Sequence, residues 1–229
     1  VFAPGLLLLL LSADLPSAEA PTVEVWVGHQ ILRGTRHVPL KGPVPTETQN
    51  FTVAKVRRNG NRWEMQQQFC RSENKPVKNV TVTASPTAIA RMKVSPVTVD
   101  VSADGAAAVS PWNVAWGRDD LDGDGHPGIS FTVGGTFCSG DLYVASQANY
   151  TPTKARVSGN ELTGEMKIDQ RQQVLGASGF CLRAMVGDST DSQVGSFAYK
   201  AMPAGTTCAS LAGKSWPVQA TPPAAPAPK

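Results

Sequence analysis

The stretch ELTGEMKID, residues 161–169, decides the fold class. Leu162, Gly164, Met166 and Ile168 fall on one side of an extended chain, and Glu161, Thr163, Glu165, Lys167 and Asp169 on the other. A period of two belongs to a β-strand, so the pattern predicts a strand with one apolar and one solvated face. NRWEMQQQFC, residues 61–70, alternates likewise, with Trp63, Met65 and Phe69 set against Arg62, Glu64 and Gln66. GISFTVGG groups Ile129, Phe131 and Val133, and GSFAYKA groups Phe197, Tyr199 and Ala201. Further strand candidates are Val23–Val27, Phe51–Arg57, Ala88–Val94, Val97–Val101, Leu142–Ala148 and Phe180–Met185.

Turn chemistry agrees with this reading. Asn59-Gly60 stands between two strand patterns, a strong hairpin signal, and Ser158-Gly159-Asn160 divides another pair. No long stretch carries helical periodicity. The chain therefore reads as all-β: an antiparallel meander of roughly ten strands, closed as a barrel or folded as a sandwich. The stretch from Asp104 to Gly117 reads as a packed loop, because Trp112 and Trp116 are too large to leave in a flexible linker.

The two ends differ from the middle. Residues 1–20 read as a secretory signal peptide: an apolar block from Gly5 to Ala13, then Ala18-Glu19-Ala20 as a cleavage site. That block is far short of the roughly 20 residues a bilayer span needs. Residues 21–212 are expected to form a single all-β domain. Residues 213–229, rich in Pro and Ala, are expected to be a disordered tail.

Four cysteines, Cys70, Cys138, Cys181 and Cys208, with no C-x-x-C spacing, fit two disulfides in a secreted or periplasmic chain. Curling the meander predicts Cys138 with Cys181 and Cys70 with Cys208. Pairing Cys70 with Cys138 and Cys181 with Cys208 suits a two-domain chain better. Zinc is disfavoured by the wide spacings and the three histidines. The formal net charge is only +3. Lys55, Arg57, Arg58 and Arg62 read as a solvated hairpin tip, so nucleic acid is not an expected partner.

RDDLDGDGHPGIS, residues 118–130, is the densest chemical signal. Alternating Asp120, Asp122 and Asp124 turn three carboxylates inward, and Gly125 permits the sharp turn that follows. Calcium, a hard cation with six to eight oxygen ligands, suits that pattern, with His126 offering its backbone carbonyl. Over Asp120–Gly128 the chain resembles the D-x-D-x-D-G calcium loops of EF-hands, dockerins and thrombospondin type 3 repeats. It departs from an EF-hand where Phe131 stands in place of the closing Glu, and where Pro127-Gly128 leads into a strand. The resemblance implies a structural calcium that pins the loop to the strand at Ile129. The DGDG-x-PG turn and the later Gln172–Ala177 stretch also resemble uncharacterised secreted β-proteins of myxobacterial type, which implies no activity.

No G-x-S-x-G, H-E-x-x-H or phosphate-loop motif occurs. Trp112 and Trp116 beside the acidic loop are candidates to stack a sugar ring, with core packing as the alternative for both. Gln67, on the face of Trp63, Met65 and Phe69, is a candidate inward-facing ligand contact, since a buried amide needs partners. The expectation is a calcium-stapled binding module whose partner is an unspecified ligand or cell-envelope component. The alternative is a carbohydrate-active hydrolase using paired carboxylates.

Overall fold

The structure, a computed structural model, describes residues 22–38, 42–77, 79–135 and 138–223. The expected signal segment lies outside the described residues. The strands are β1 (Thr22–Val38), β2 (Gly42–Asn59), β3 (Arg62–Asn74), β4 (Thr81–Ala84), β5 (Val97–Val101), β6 (Ala107–Val109), β7 (Trp112–Trp116), β8 (Ile129–Gly134), β9 (Gly140–Ser158), β10 (Glu161–Ala177) and β11 (Ser189–Met202). They make one antiparallel sheet in the order β4-β8-β9-β10-β11-β1-β2-β3-β5-β6, with β7 beside β8 on the edge of β9. The all-β meander expected from the alternating pattern is what forms.

The sheet curls until its two ends meet. Asn74 Nδ2 on β3 donates to Val82 O on β4, at the far end of the strand order, across 3.0 Å. Lower down, an isolated bridge joins Ala106, just before β6, to Arg156 on β9. Curling gives the apolar faces one interior to fill. Leu162, Met166 and Ile168 from the opening stretch meet Trp26, Val56, Trp63, Met65 and Phe197 there.

Two glycines let the interior close. A Cβ on Gly28 would lie 2.2 Å from the Tyr199 ring, and one on Gly164 would lie 2.3 Å from Phe197. Both aromatic rings occupy room that any side chain would take, so strand-weakening glycines are tolerated here for the packing they permit.

Three strand or loop expectations are corrected. The first part of Ala88–Val94 belongs to a helix, α1 (Pro86–Arg91), and not to a strand. Ser85 caps it by accepting from Ala88 N, and Pro86 starts it without needing a donor. Its Ile89 packs into the interior, and Ala88 beside it is buried. Phe180–Met185 is α2, a single turn and a half that starts after Gly179, whose φ of 79° ends the extended run. The segment from Asp104 to Gly117 is not a loop but holds β6 and β7, because inward Trp112 and Val114 supply a strand's period.

The largest correction concerns the tail. After α3 (Cys208–Leu211), residues 214–223 lie along the outer face of β11, β1 and β2. Trp216, Val218 and Ala220 are buried against Val27, Ile31, Phe51 and Ala198, and Trp216 Nε1 donates to Gly28 O at 3.0 Å. Pro and Ala content signals disorder only where no apolar surface is offered for burial. Here the central strands present their second face, and alternating Trp216, Val218 and Ala220 fit it. Residues 224–229 lie outside the described residues.

Cys70 bonds to Cys208 and Cys138 to Cys181. The first bond fastens α3, and with it the terminal segment, to the outside of β3. It closes 138 residues of chain, which in the chain-entropy model contributes about 5 kcal/mol. Replacing both Cys70 and Cys208 by Ser should therefore lower the unfolding free energy by up to about 5 kcal/mol, read from urea denaturation. A loss no larger than that from removing the Cys138–Cys181 bond, which closes only 43 residues, would contradict this ranking.

Candidate metal centre

The acidic loop spans the gap between β7 and β8 and is shaped by its own carboxylates. Asp120 Oδ1 accepts from Gly123 N at 2.6 Å and Asp124 N at 3.2 Å, and Asp120 Oδ2 accepts from Gly125 N at 2.9 Å. Gly123 and Gly125 both have positive φ, 78° and 86°, which turns their amides back toward Asp120. The hydrogen bond from Gly125, followed by those from Gly123 and Asp124, outweighs desolvation and holds the Asp120 carboxyl below its ordinary value. Asp120 is thus a carboxylate in the folded state throughout the neutral range.

The other two acids reach forward to β8. Asp122 Oδ2 accepts from Ser130 N at 3.0 Å, and Asp124 Oδ2 takes the Ser130 hydroxyl. Ser130 was not legible as part of this site: it sits six residues past Asp124, and only the loop's fold brings it back. At the loop's base Gly128 N donates to Arg118 O and Asp119 O, both at 3.2 Å, and Leu121 N donates to Gly128 O. Arg91 of α1 adds a clasp through Nη1 to Leu121 O at 3.0 Å, a contact 30 residues distant in sequence.

Oxygens of Asp120, Asp122 and Asp124 lie within 4.8 Å of one another. Two oxygens on one calcium ion are separated by at most twice a bond of 2.3–2.6 Å, about 5 Å, so the three fit one such ion. Asp122 Oδ1 is buried and has no hydrogen-bond partner. None of the described Lys or Arg side chains forms an ion pair with these carboxylates, Arg91 included. Concentrated negative charge with a bare buried oxygen is the donor set a hard cation satisfies. His126 presents no ring nitrogen to the cluster. Its N–H donates to Asp124 Oδ1 at 2.8 Å, and its imidazole lies flat on Tyr143 with centroids 4.1 Å apart.

The expected ligand contacts are corrected in part. Trp112 is a core residue, stacked on Tyr150 at 5.1 Å and edge-on to Phe197, and offers no face to a ligand. Gln67 does point inward with Trp63, Met65 and Phe69, but its partners are internal. Its Oε1 accepts from Tyr199 Oη at 2.6 Å and from Gln30 Nε2 at 3.4 Å, and Gln30 Nε2 also donates to Tyr199 Oη at 2.7 Å. Burial pushes the Tyr199 hydroxyl up to about 12, so it remains a neutral donor. The amide's need for partners is met by the fold. Trp116 is half-buried, donates through Nε1 to Val144 O at 2.8 Å, and borders a shallow groove with Gln147, Arg171, Gln173 and Asp188. Thus Trp116 lies near the acidic loop, whereas Trp112 and Gln67 belong to the interior.

No protein-family model and no curated protein matches this chain.

Gly128 should be the loop's most sensitive glycine. Its φ is 83°, and a Cβ there would lie 2.4 Å from Val144 O, whereas a Cβ on Gly125 meets open space. Gly128→Ala should therefore destabilise clearly more than Gly125→Ala, by about 1–3 kcal/mol beyond the shared positive-φ cost. Parallel thermal melts of the two variants measure the difference; equal losses would mean the loop base yields freely.

Proposed function

We propose that this chain is an exported calcium-binding β-module, in which the ion staples the Asp120–Gly128 loop to the start of β8 and the surface binds an envelope component. The observation that carries the metal reading is the buried, unpartnered Asp122 Oδ1 inside a cluster of three carboxylates without an ion pair. A cation at that point satisfies this oxygen and offsets the repulsion among the acids. Because Asp122 and Asp124 also hold Ser130, the second residue of β8, occupancy of the loop is coupled to the strand. Two disulfides support an oxidising compartment. Among the described residues no helix is long and apolar enough to cross a membrane. The sequence resemblances to D-x-D-x-D-G loops and to secreted β-proteins of myxobacterial type agree with this reading.

Binding is favoured over hydrolysis by the state of the acids. A glycoside hydrolase needs a carboxyl with a raised pKa as general acid. Glu47 is displaced the other way: burial opposes its charge, but hydrogen bonds from Gln49 and Arg33 and the nearby Lys75 outweigh that cost. Asp120 is lowered as well. Asp191 is paired with Arg36 at 3.2 Å and accepts a further hydrogen bond from Ser189.

The test is calorimetry of the disulfide-intact protein with calcium and with chelator. Extracellular calcium modules bind at about 10⁻⁴–10⁻³ M, so about 10 mM calcium should stabilise by about 1.4 kcal/mol at the weak end of that range and about 2.7 kcal/mol at the tight end. Asp122→Asn should remove the difference while leaving the chelated protein nearly unchanged. Superimposable transitions with and without calcium would reduce the loop to an acidic turn.

A further inference from the structure

His29 lies on the outer face of β1, 1% exposed, beneath the terminal strap of residues 214–223. Its Nδ1 accepts a hydrogen bond from the backbone Ala220 N at 3.0 Å. An acceptor nitrogen carries no proton, so the ring's one proton sits on Nε2, which faces Gln49 Oε1 at 3.3 Å. The ring also stacks on Phe51, with centroids 4.7 Å apart. Both nitrogens are thus committed, and the ring is neutral by construction.

We propose that His29 is a pH-operated latch for the terminal strap, closed when the imidazole is neutral and opened when protonation sets a ring N–H against the Ala220 N–H.

The acids nearest an imidazolium, Glu47 and Glu73, are already paired with cations. On β1, Arg33 is spent on Glu47 at 2.9 Å and on Pro223 O. On β2, Gln49 turns its Nε2 to Glu47, and Lys75 approaches the same carboxylate. On β3, Arg71 lies over Phe51 and Trp216 and pairs with Glu73. From β11 come Ser196, Ala198 and Met202, and Lys200, opposite Val27 on the same face, is paired with Glu161 at 3.2 Å; the strap from Ser215 to Pro223 contains no ionisable side chain. Desolvation lowers the His29 pKa from 6.5; the Gln49 bond and Glu73 oppose it, and Arg71 adds to it. The sign follows: stability from the neutral ring is complete above the unfolded value of 6.5 and is lost as pH falls through the lower folded value.

Ala220 sits mid-strap, between the Trp216 bond to Gly28 and the bonds from Ser196 Oγ to Thr221 O and Arg33 to Pro223 O. Loss of its bond brings charge under an apolar cover formed by Trp216, Val218 and Ala220. The strap's start is held by the Cys70–Cys208 bond, so the segment swings as a flap and uncovers the strip of Val27, Ile31, Phe51 and Ala198.

Hydrogen exchange on the full, disulfide-intact chain tests this, read from about pH 7.5 to about pH 4.5 and corrected for intrinsic exchange. Protection of the strap's Ala220 amide and of the Trp216 indole N–H should fall about tenfold or more on acidification while the β9–β10 amides hold. In His29→Asn, the side-chain Oδ1 can take the Ala220 bond and cannot titrate, so strap protection should persist in acid. Strap protection that survives acid in the unaltered chain, or that is lost together with the β9–β10 amides, overturns the latch. So does an equal loss in both proteins. Should the Asn variant fail to fold, the imidazole of the unaltered chain is titrated by NMR: its midpoint must coincide with strap release, and a separated midpoint overturns the proposal.

Discussion

Strand β1 is buried on both faces, and the rest of the molecule is arranged to make that possible. Its even-numbered side chains, Trp26 and Leu32 among them, enter the curled interior, while Val27, His29 and Ile31 meet the terminal strap. A strand in an antiparallel sheet commonly leaves one face to solvent. Here the second face is covered by the chain's own end, anchored through Cys70–Cys208 to β3. The disulfide supplies nearness, Trp216 supplies apolar area, and hydrogen bonds to Gly28 O and His29 Nδ1 set the register. Without the strap, the centre of the sheet would present an apolar strip to water.

Inside the curl, polarity is placed as deliberately as volume. Gln30, Gln67 and Tyr199 satisfy one another, and Asn50 joins through Gln30 and Ser72. An amide on the wrong strand face would leave its hydrogen-bonding groups without partners, so a one-residue slip of β1, β2, β3 or β11 carries a penalty on top of misplaced apolar groups. The network therefore stabilises one register over its neighbours. It also explains why Gln67, whose inward position suggested a ligand, needs none.

The acidic loop stands apart from this core but is coupled to its edge. Asp120 organises the turn through three backbone amides; Asp122 and Asp124 seize Ser130, and Arg91 holds the loop from α1. The alternation of acids and glycines was readable because a turn of this kind is local: its partners are within a few residues. Ser130 and Arg91 were not, because their contacts depend on where β8 and α1 are carried by the sheet.

The same division runs through the whole chain. Alternation in ELTGEMKID and NRWEMQQQFC determined strands and their inward faces, since a period of two is a property of the extended backbone itself. Asn59-Gly60 and Ser158-Gly159-Asn160 determined two hairpins for an equally local reason. The tertiary structure decided the fate of segments whose own pattern was weak. Residues 86–91 and 180–185 became helices through a cap and a positive-φ glycine. Trp112 went to the core and Trp116 to a groove's edge, although both are inward positions of one strand, because the interior's cover differs along its length. The terminal segment, rich in Pro and Ala by composition, became part of the packing because a distant sheet offered it an apolar face. Composition describes what a segment can bury, and only the surface placed opposite decides whether it does.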